Sequence, residues 1–193
     1  MITIHTVYCV LGRTGSGKST ITKLVAEKLN MKVLRSYSTR QYLREGETKD
    51  NSDHTLISSD EVEKYCDDMI AYTDRVRYCN FATKQQLLDN DFYIINPTGY
   101  YELKMKTKGM DIDLVTIMVT VPFDILRERA KKRGDFEQWQ TNYIKESEEF
   151  STFKKSHLID YFVLNDRSIE ESVEKMAKNV QKDKAKRGIT NER

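Results

Sequence analysis

Cysteine and proline are nearly absent from this chain, with three cysteines and two prolines in 193 residues. Cys9, Cys66 and Cys79 are odd in number, far apart and without CxxC spacing. That pattern excludes a disulfide framework or a paired-cysteine zinc site and reads as reduced structural thiols. No run approaches the roughly 18 consecutive apolar residues that a membrane helix needs. The N-terminus also has no basic segment leading into a signal-peptide core. These absences lead to the expectation of a cytoplasmic protein with no membrane partner. An excess of one charge is missing too: 32 Lys+Arg stand against 30 Asp+Glu, a net +2. This argues against a nucleic-acid polymer as the partner. With neither internal repeats nor a low-complexity linker, a single domain is expected.

What is present begins with a short apolar strand, Ile2 to Leu11, that runs into Gly12-Arg13-Thr14-Gly15-Ser16-Gly17-Lys18-Ser19-Thr20. Ile21, Leu24, Val25 and Leu29 then recur at helical spacing. Gly12 to Ser19 fits G-x-x-x-x-G-K-[ST] in the strand–loop–helix context that gives the motif its meaning. The glycines let backbone N–H groups close around an anion. Lys18 is then placed for the β- and γ-phosphates and Ser19 for Mg²⁺, and the following helix N-terminus adds its positive end. A nucleoside triphosphate site over Gly12–Thr20 follows, with Mg²⁺ as its metal, and the motif leaves the acceptor open between water, a small hydroxyl compound and another phosphate.

Beyond the loop, Ser36 to Asp53 turns polar, as in a functional loop or inserted lobe, and no element is assigned to it. Ser58-x-x-Glu61 predicts a capped helix to about Asp67, and Met69–Thr73 and Arg77–Phe81 predict two strands. Helices over Thr83–Leu88 and Tyr100–Lys106 alternate with strands over Phe92–Asn96 and Leu114–Val121. Pro122 suits the first turn of a helix to Arg133 that Gly134 ends, and a second helix spans Glu137–Phe150. Tyr161–Leu164 is the last strand. Ser168 and Glu171 cap a closing helix striped by Ile169, Val173, Met176 and Val180, with a frayed tail from Lys182. The fold class is α/β, a parallel sheet flanked by helices.

Taken in order, these pieces resemble the guanylate kinases, which move the γ-phosphoryl of ATP onto GMP. Ser36-Tyr37-Ser38-Thr39-Arg40, Arg44-Glu45-Gly46-Glu47 and Asp53-His54 are similar to the family's Ser-x-x-Thr-Arg, Arg-x-Gly-Glu and Asp-Tyr elements. Phe81-Ala82-Thr83 stands where the family has Tyr-Gly-Thr, and Asn96-Pro97-Thr98-Gly99 where it has Asp-x-x-Gly. Arg129-x-x-x-Arg133-Gly134 is similar to its lid arginines, and Leu164-Asn165-Asp166 to the Val-Asn-Asp near the adenine. The resemblance implies a P-loop kinase fold: a core of 1–35 and 82–185, an acceptor-binding lobe of about 36–81 and a lid of about 129–150. It implies catalytic roles for Lys18, Arg40, Arg129 and Arg133, and a place for Asn165 beside ATP. Ser36, Arg40, Arg44, His54, Tyr72, Asp74, Phe81 and Asn96 become the acceptor residues. Bidentate guanidinium groups suit such a phosphate, and lid closure would exclude water.

The chain departs from the family where the base is read. Guanylate kinases accept guanine's N1–H and amino group with carboxylates, and here Tyr72 and Asn96 fall on those positions. Asp74, two residues along a strand from Tyr72, faces the same side and could take over. Ile94 replaces an acidic residue, and Asn142 falls where an arginine is expected, with Lys145 the nearest cation. GMP or dGMP is therefore the first expectation for the acceptor. Alternatives left open are another nucleoside monophosphate or small phosphorylated acceptor, a non-catalytic binding module and a regulatory NTPase. The bland reading of the Arg127–Arg133 charges is a solvated helix end, and that of Tyr72, Tyr78, Phe81 and Tyr93 is core packing. The oligomeric state, monomer or homodimer, is left open.

Overall fold

The computed structural model describes residues 4–43, 47–50, 52–75 and 77–188. Nine strands and six α-helices are found among them. Five strands form a parallel sheet flanked by helices, in the order β2 (Val33–Leu34), β7 (Phe92–Ile94), β1 (His5–Leu11), β8 (Ile112–Thr120), β9 (Tyr161–Leu164). Side chains buried on both faces explain why these strands read as nearly unbroken apolar runs. Contacts divide the chain into two units, Met1–Cys9 with Lys32–Leu114 and Val10–Met31 with Val115–Arg193.

The first unit carries a second sheet of four strands, β4 (His54–Leu56), β3 (Ser36–Ser38), β6 (Tyr78–Thr83) and β5 (Met69–Arg75). β3 lies within the expected polar segment Ser36–Asp53, and β4 follows it where no element was expected. β3 is one turn of strand whose Ser36 and Ser38 are buried and hydrogen-bonded, so no apolar alternation announces it. Parallel pairing sets Ser36 opposite His54, and antiparallel pairing sets Tyr37 opposite Phe81. Between Ile70 and Thr73 the register of β5 against β6 shifts, and Ala71 takes a left-handed φ of 51°. The extra residue makes a bulge. Beyond it Tyr72 and Asp74 are exposed on one side and Thr73 is buried, as the two-residue spacing predicted.

The segment Ser59–Tyr65 is 3-10 helix, with Glu61 accepting the Ser58 N–H at 2.9 Å. Helix α2 (Lys84–Leu88) is capped by Thr83. Helix α3 (Pro97–Lys106) starts three residues before the expected Tyr100, because Asn96 is its N-cap and Pro97 its first residue. It packs against β5. The buried apolar residues of this unit include Ile70, Phe81, Leu87, Phe92 and Leu103.

The second unit holds α1 (Lys18–Leu29), α4 (Phe123–Arg133), α5 (Phe136–Lys155) and α6 (Ile169–Lys186). Pro122 is the N-cap of α4 instead of lying in its first turn, and Gly134 closes the helix at φ 81°. That left-handed stop explains the break before α5. Helix α5 extends five residues past the expected Phe150. The tail also differs from expectation: α6 runs through Lys186, because buried Asp183 accepts from Arg187 at 2.7 Å and from the Tyr161 hydroxyl at 3.2 Å. No described helix is long and apolar enough to cross a membrane.

Candidate active site

Within the second unit the glycine loop is tightly enclosed. Gly15 and Gly17 have φ of 86° and 81°, conformations that side-chain-bearing residues rarely adopt. A Cβ on Gly17 would lie 2.6 Å from Asn165 Nδ2, and one on Gly12 would meet Ser16 Oγ at 2.6 Å and the Val119 carbonyl at 2.8 Å. Gly17 caps α1 without any side-chain hydrogen bond, and the first turn of α1 carries no acidic residue. Its orphan N–H groups and positive helix end suit an anion. Lys18 Nζ bends back to the Arg13 carbonyl at 3.5 Å. The Ser16 hydroxyl is buried without a hydrogen-bond partner among the described residues.

Neighbouring elements hold that loop by contacts the sequence did not announce. Thr14 N–H and Oγ1 both donate to Glu146, at 3.0 and 2.6 Å. Trp139 Nε1 donates to the Thr14 carbonyl at 3.2 Å. The Arg13 guanidinium donates to the Tyr143 carbonyl and to Ser147 Oγ, and lies 4.2 Å from the Tyr143 ring centre. The Arg13 side chain is therefore tied to α5. Asn165, 1% exposed, donates through Nδ2 to the Ser16 carbonyl at 2.8 Å and accepts from Ser172 Oγ at 3.1 Å. Its amide is occupied in shaping the loop.

Arg129 and Arg133 lie at i and i+4 on α4. Arg129 Nη2 donates to the Asn165 carbonyl at 3.1 Å. Arg133 Nη1 lies 3.3 Å from the Cβ position of Gly15, and its Nη2 pairs with Asp135 at 3.0 Å. Burial, and then the Arg133 charge, hold the Arg129 pKa below its usual value. Adjacent guanidinium groups of this kind favour an anion between them. Asn142 accepts a hydrogen bond from Gln138 Nε2 at 3.2 Å, and Lys145 is exposed.

The expected acceptor residues lie in the first unit. Arg40, 2% exposed, pairs through Nη2 with Glu47 at 2.8 Å and lies 5.4 Å from the Tyr42 ring centre, while its Nε and Nη1 are buried with no hydrogen-bond partner among the described residues. Glu47 also accepts from Ser52 Oγ at 2.6 Å, which in turn accepts the His54 N–H at 3.1 Å. Ser36 Oγ and His54 Nδ1 are 2.8 Å apart, so two residues predicted from separate motifs meet. Arg44 lies outside the described residues. Phe81 is fully buried against the rings of Tyr37 and Tyr65, which places it in the core. Asn96 Oδ1 accepts the Gly99 N–H at 3.2 Å, the hydrogen bond of a helix cap. Glu47, Glu102, Trp139 and Glu146 were not among the predicted site residues. Only the family-like Arg-x-Gly-Glu could have flagged the first; a lone tryptophan and two surface-type glutamates give no local signal.

A family model described as an AAA domain matches residues 9–154. Comparison with curated proteins finds no match. Among solved structures, the guanylate kinase from Anaplasma phagocytophilum superposes with a TM-score of 0.64 at 18% identity, covering 94% of this chain and 87% of that one. A gluconokinase from Sinorhizobium meliloti 1021 gives 0.52 at 14% identity, covering 98% and 99%. The five-stranded parallel sheet and its helices are those of the P-loop kinase fold. At these identities the likeness carries the fold and leaves the substrate to the site itself.

Proposed function

The chain belongs to the AAA domain family, and on that premise we propose that it is an ATP-dependent kinase that phosphorylates a nucleoside monophosphate, GMP or dGMP. The observation that carries the reading is Arg40: a buried guanidinium with one edge held by Glu47 and two nitrogens, Nε and Nη1, without a hydrogen-bond partner among the described residues. Such a group is costly unless an anion completes it. An acceptor phosphate does so, and the planar fork favours bidentate binding. Arg44 belongs to this role by its motif. The guanylate kinase neighbour supports the choice of a nucleotide acceptor over water.

On the donor side, the first-turn N–H groups of α1 and Lys18 hold the triphosphate. An acceptor phosphate oxygen attacks the γ-phosphorus, the bond from that phosphorus to the β,γ-bridging oxygen breaks, and ADP leaves. The residues present would suit Mg²⁺ held by one hydroxyl in the first turn of α1 and by the phosphates themselves. Ser19 would supply that hydroxyl, and the ion would offset charge on the phosphates. Arg129 and Arg133 stabilise the charge spread over the transferring group.

The test is ADP formation from Mg·ATP with GMP, dGMP, AMP, CMP, UMP and dTMP added singly, in the wild type and in Lys18→Met. Acceleration by GMP or dGMP that is lost in Lys18→Met is expected. Absence of acceleration by every monophosphate would overturn the reading in favour of an NTPase or a binding module. Tyr72 and Asn96 motivate a second reading, in which another monophosphate is the acceptor, and the same panel reads it directly.

A further inference from the structure

Family likeness leaves the first unit without the carboxylates that would recognise a base, yet a carboxylate is present from another element. Helix α3 packs against β5 and carries Glu102. The backbone N–H of Tyr72, the residue standing in place of the family's glutamate, acts on its carboxylate and favours the charged form. One oxygen, Oε2, is buried with no hydrogen-bond partner among the described residues. The Glu102 charge also acts on the phenols of Tyr72 and Tyr93. Tyr93 is buried and shares a hydrogen bond with Ser36, itself buried and 2.8 Å from His54 Nδ1.

The other candidates for reading a base are worse placed. Asn96 has its carbonyl oxygen engaged by Gly99, and an amide presents a donor where a pair of acceptors is wanted. Asp74 is exposed on the side that Tyr72 shares. Of these three side chains, Glu102 combines acceptor-only chemistry with an oxygen sealed from water and lacking a donor among the described residues. Removing such an oxygen from water without a partner is costly, so the arrangement calls for a ligand N–H.

We propose that Glu102 is the specificity-determining carboxylate of the acceptor site, and that it selects a purine presenting a ring N–H beside an exocyclic amino group, which is a guanine. The inference rests on the reading of this unit as a nucleotide acceptor site and names the residue that sets its substrate. Glu102 accepts the N1–H and the 2-amino group together. The Ser36 hydroxyl, fixed between His54 and Tyr93, is the second polar group facing the base. Adenine has no hydrogen on N1, and hypoxanthine lacks the amino group, so each loses part of the pair.

The experiment is equilibrium binding of GMP, IMP and AMP to the full chain by titration calorimetry, which requires no turnover. The wild type is expected to bind GMP about 10-fold or more tighter than IMP, and AMP more weakly still. Glu102→Gln keeps size and one acceptor but opposes an amide donor to the purine amino group. It is expected to lose about 10- to 100-fold in GMP affinity while AMP binding changes little and the GMP-over-IMP preference collapses. Ligand discrimination by the wild type alone tests the idea even if the variant folds poorly. Unchanged preference in Glu102→Gln, or no GMP preference in the wild type, would overturn the assignment. The kinase reading fails separately, if bound GMP does not accelerate ADP formation.

Discussion

Glu146 holds Thr14 at both ends of its carboxylate: Oε2 accepts the Thr14 N–H at 3.0 Å and Oε1 accepts the Thr14 hydroxyl at 2.6 Å. A residue on the long helix α5 thereby fixes the backbone of the phosphate loop, and Trp139 secures the carbonyl of the same residue. Preorganised loop N–H groups need not be reoriented when triphosphate binds. Glu146→Ala is expected to lower stability by about 1–3 kcal/mol, since it leaves the Thr14 N–H without its acceptor. It should also weaken ATP binding, whereas Glu146→Gln retains part of both. Urea unfolding and ATP titration read the two effects. Trp139 is the single tryptophan of the chain, so its fluorescence should respond to ATP in the wild type and respond less in Glu146→Ala.

Gly17 should tolerate no side chain. Its φ of 81° costs an alanine about 1–2 kcal/mol, and the added Cβ would press on Asn165 Nδ2 at 2.6 Å. Gly109 supplies the control, with a φ of 86° and nothing within 4 Å of its Cβ position. Gly109→Ala is expected to show the backbone cost alone and to bind ATP normally. Gly17→Ala is expected to lose ATP binding as well as thermal stability. Equal ATP affinity in the two variants would mean that the close approach of Asn165 is unimportant.

Arg40 and Glu47 form a buried pair, with side chains 1% and 13% exposed. Removing one partner of such a pair typically costs about 3–5 kcal/mol, because the other charge is left uncompensated. Glu47→Gln is therefore expected to lower the melting temperature, and inorganic phosphate should restore more stability to this variant than to the wild type. Arg40→Lys should raise the KM for the monophosphate and leave that for ATP unchanged, since a point charge cannot fork onto a phosphate. Thermal melts across a phosphate series and initial-rate kinetics give both readouts.

The part of the site that was legible is local in sequence. Gly12 to Ser19 carries its own geometry in consecutive residues, and the strand before it and stripe of Ile21 and Val25 after it supplied the context. Arg129 and Arg133 were legible as one helix face because their spacing is helical. The acceptor side was harder to read. Strand β3 alternates buried serines with a tyrosine, so its burial is satisfied by hydrogen bonds and leaves no hydrophobic period. Helix α3 starts three residues ahead of Tyr100, because Asn96 caps it and Pro97 opens it. Glu102 meets Tyr72 through the packing of α3 on β5, which no local pattern announces. Glu146 likewise reaches Thr14 across 132 residues, a distance that no local pattern spans.

Glu102 also makes a prediction for stability against pH. Burial raises its carboxyl above the ordinary value of 4.5, with Lys106 and the Tyr72 N–H opposing that shift and the Tyr72 and Tyr93 phenols nearby. The folded state thus holds this proton more tightly than the unfolded chain does. The contribution of Glu102 to stability is full below 4.5 and is lost as pH rises through its folded value. Above that value the protein carries a half-buried charge whose free oxygen awaits a donor. Glu102→Gln removes the titration, so the melting temperature of the variant relative to wild type should climb from pH 4.5 upward and then level off. Saturating GMP should shrink that difference at pH 7, because the ligand supplies donors to the wild-type carboxylate and gains less from the variant. A difference that stayed flat with pH would mean that Glu102 is already solvated. One that GMP left untouched would mean that the carboxylate does not meet the base.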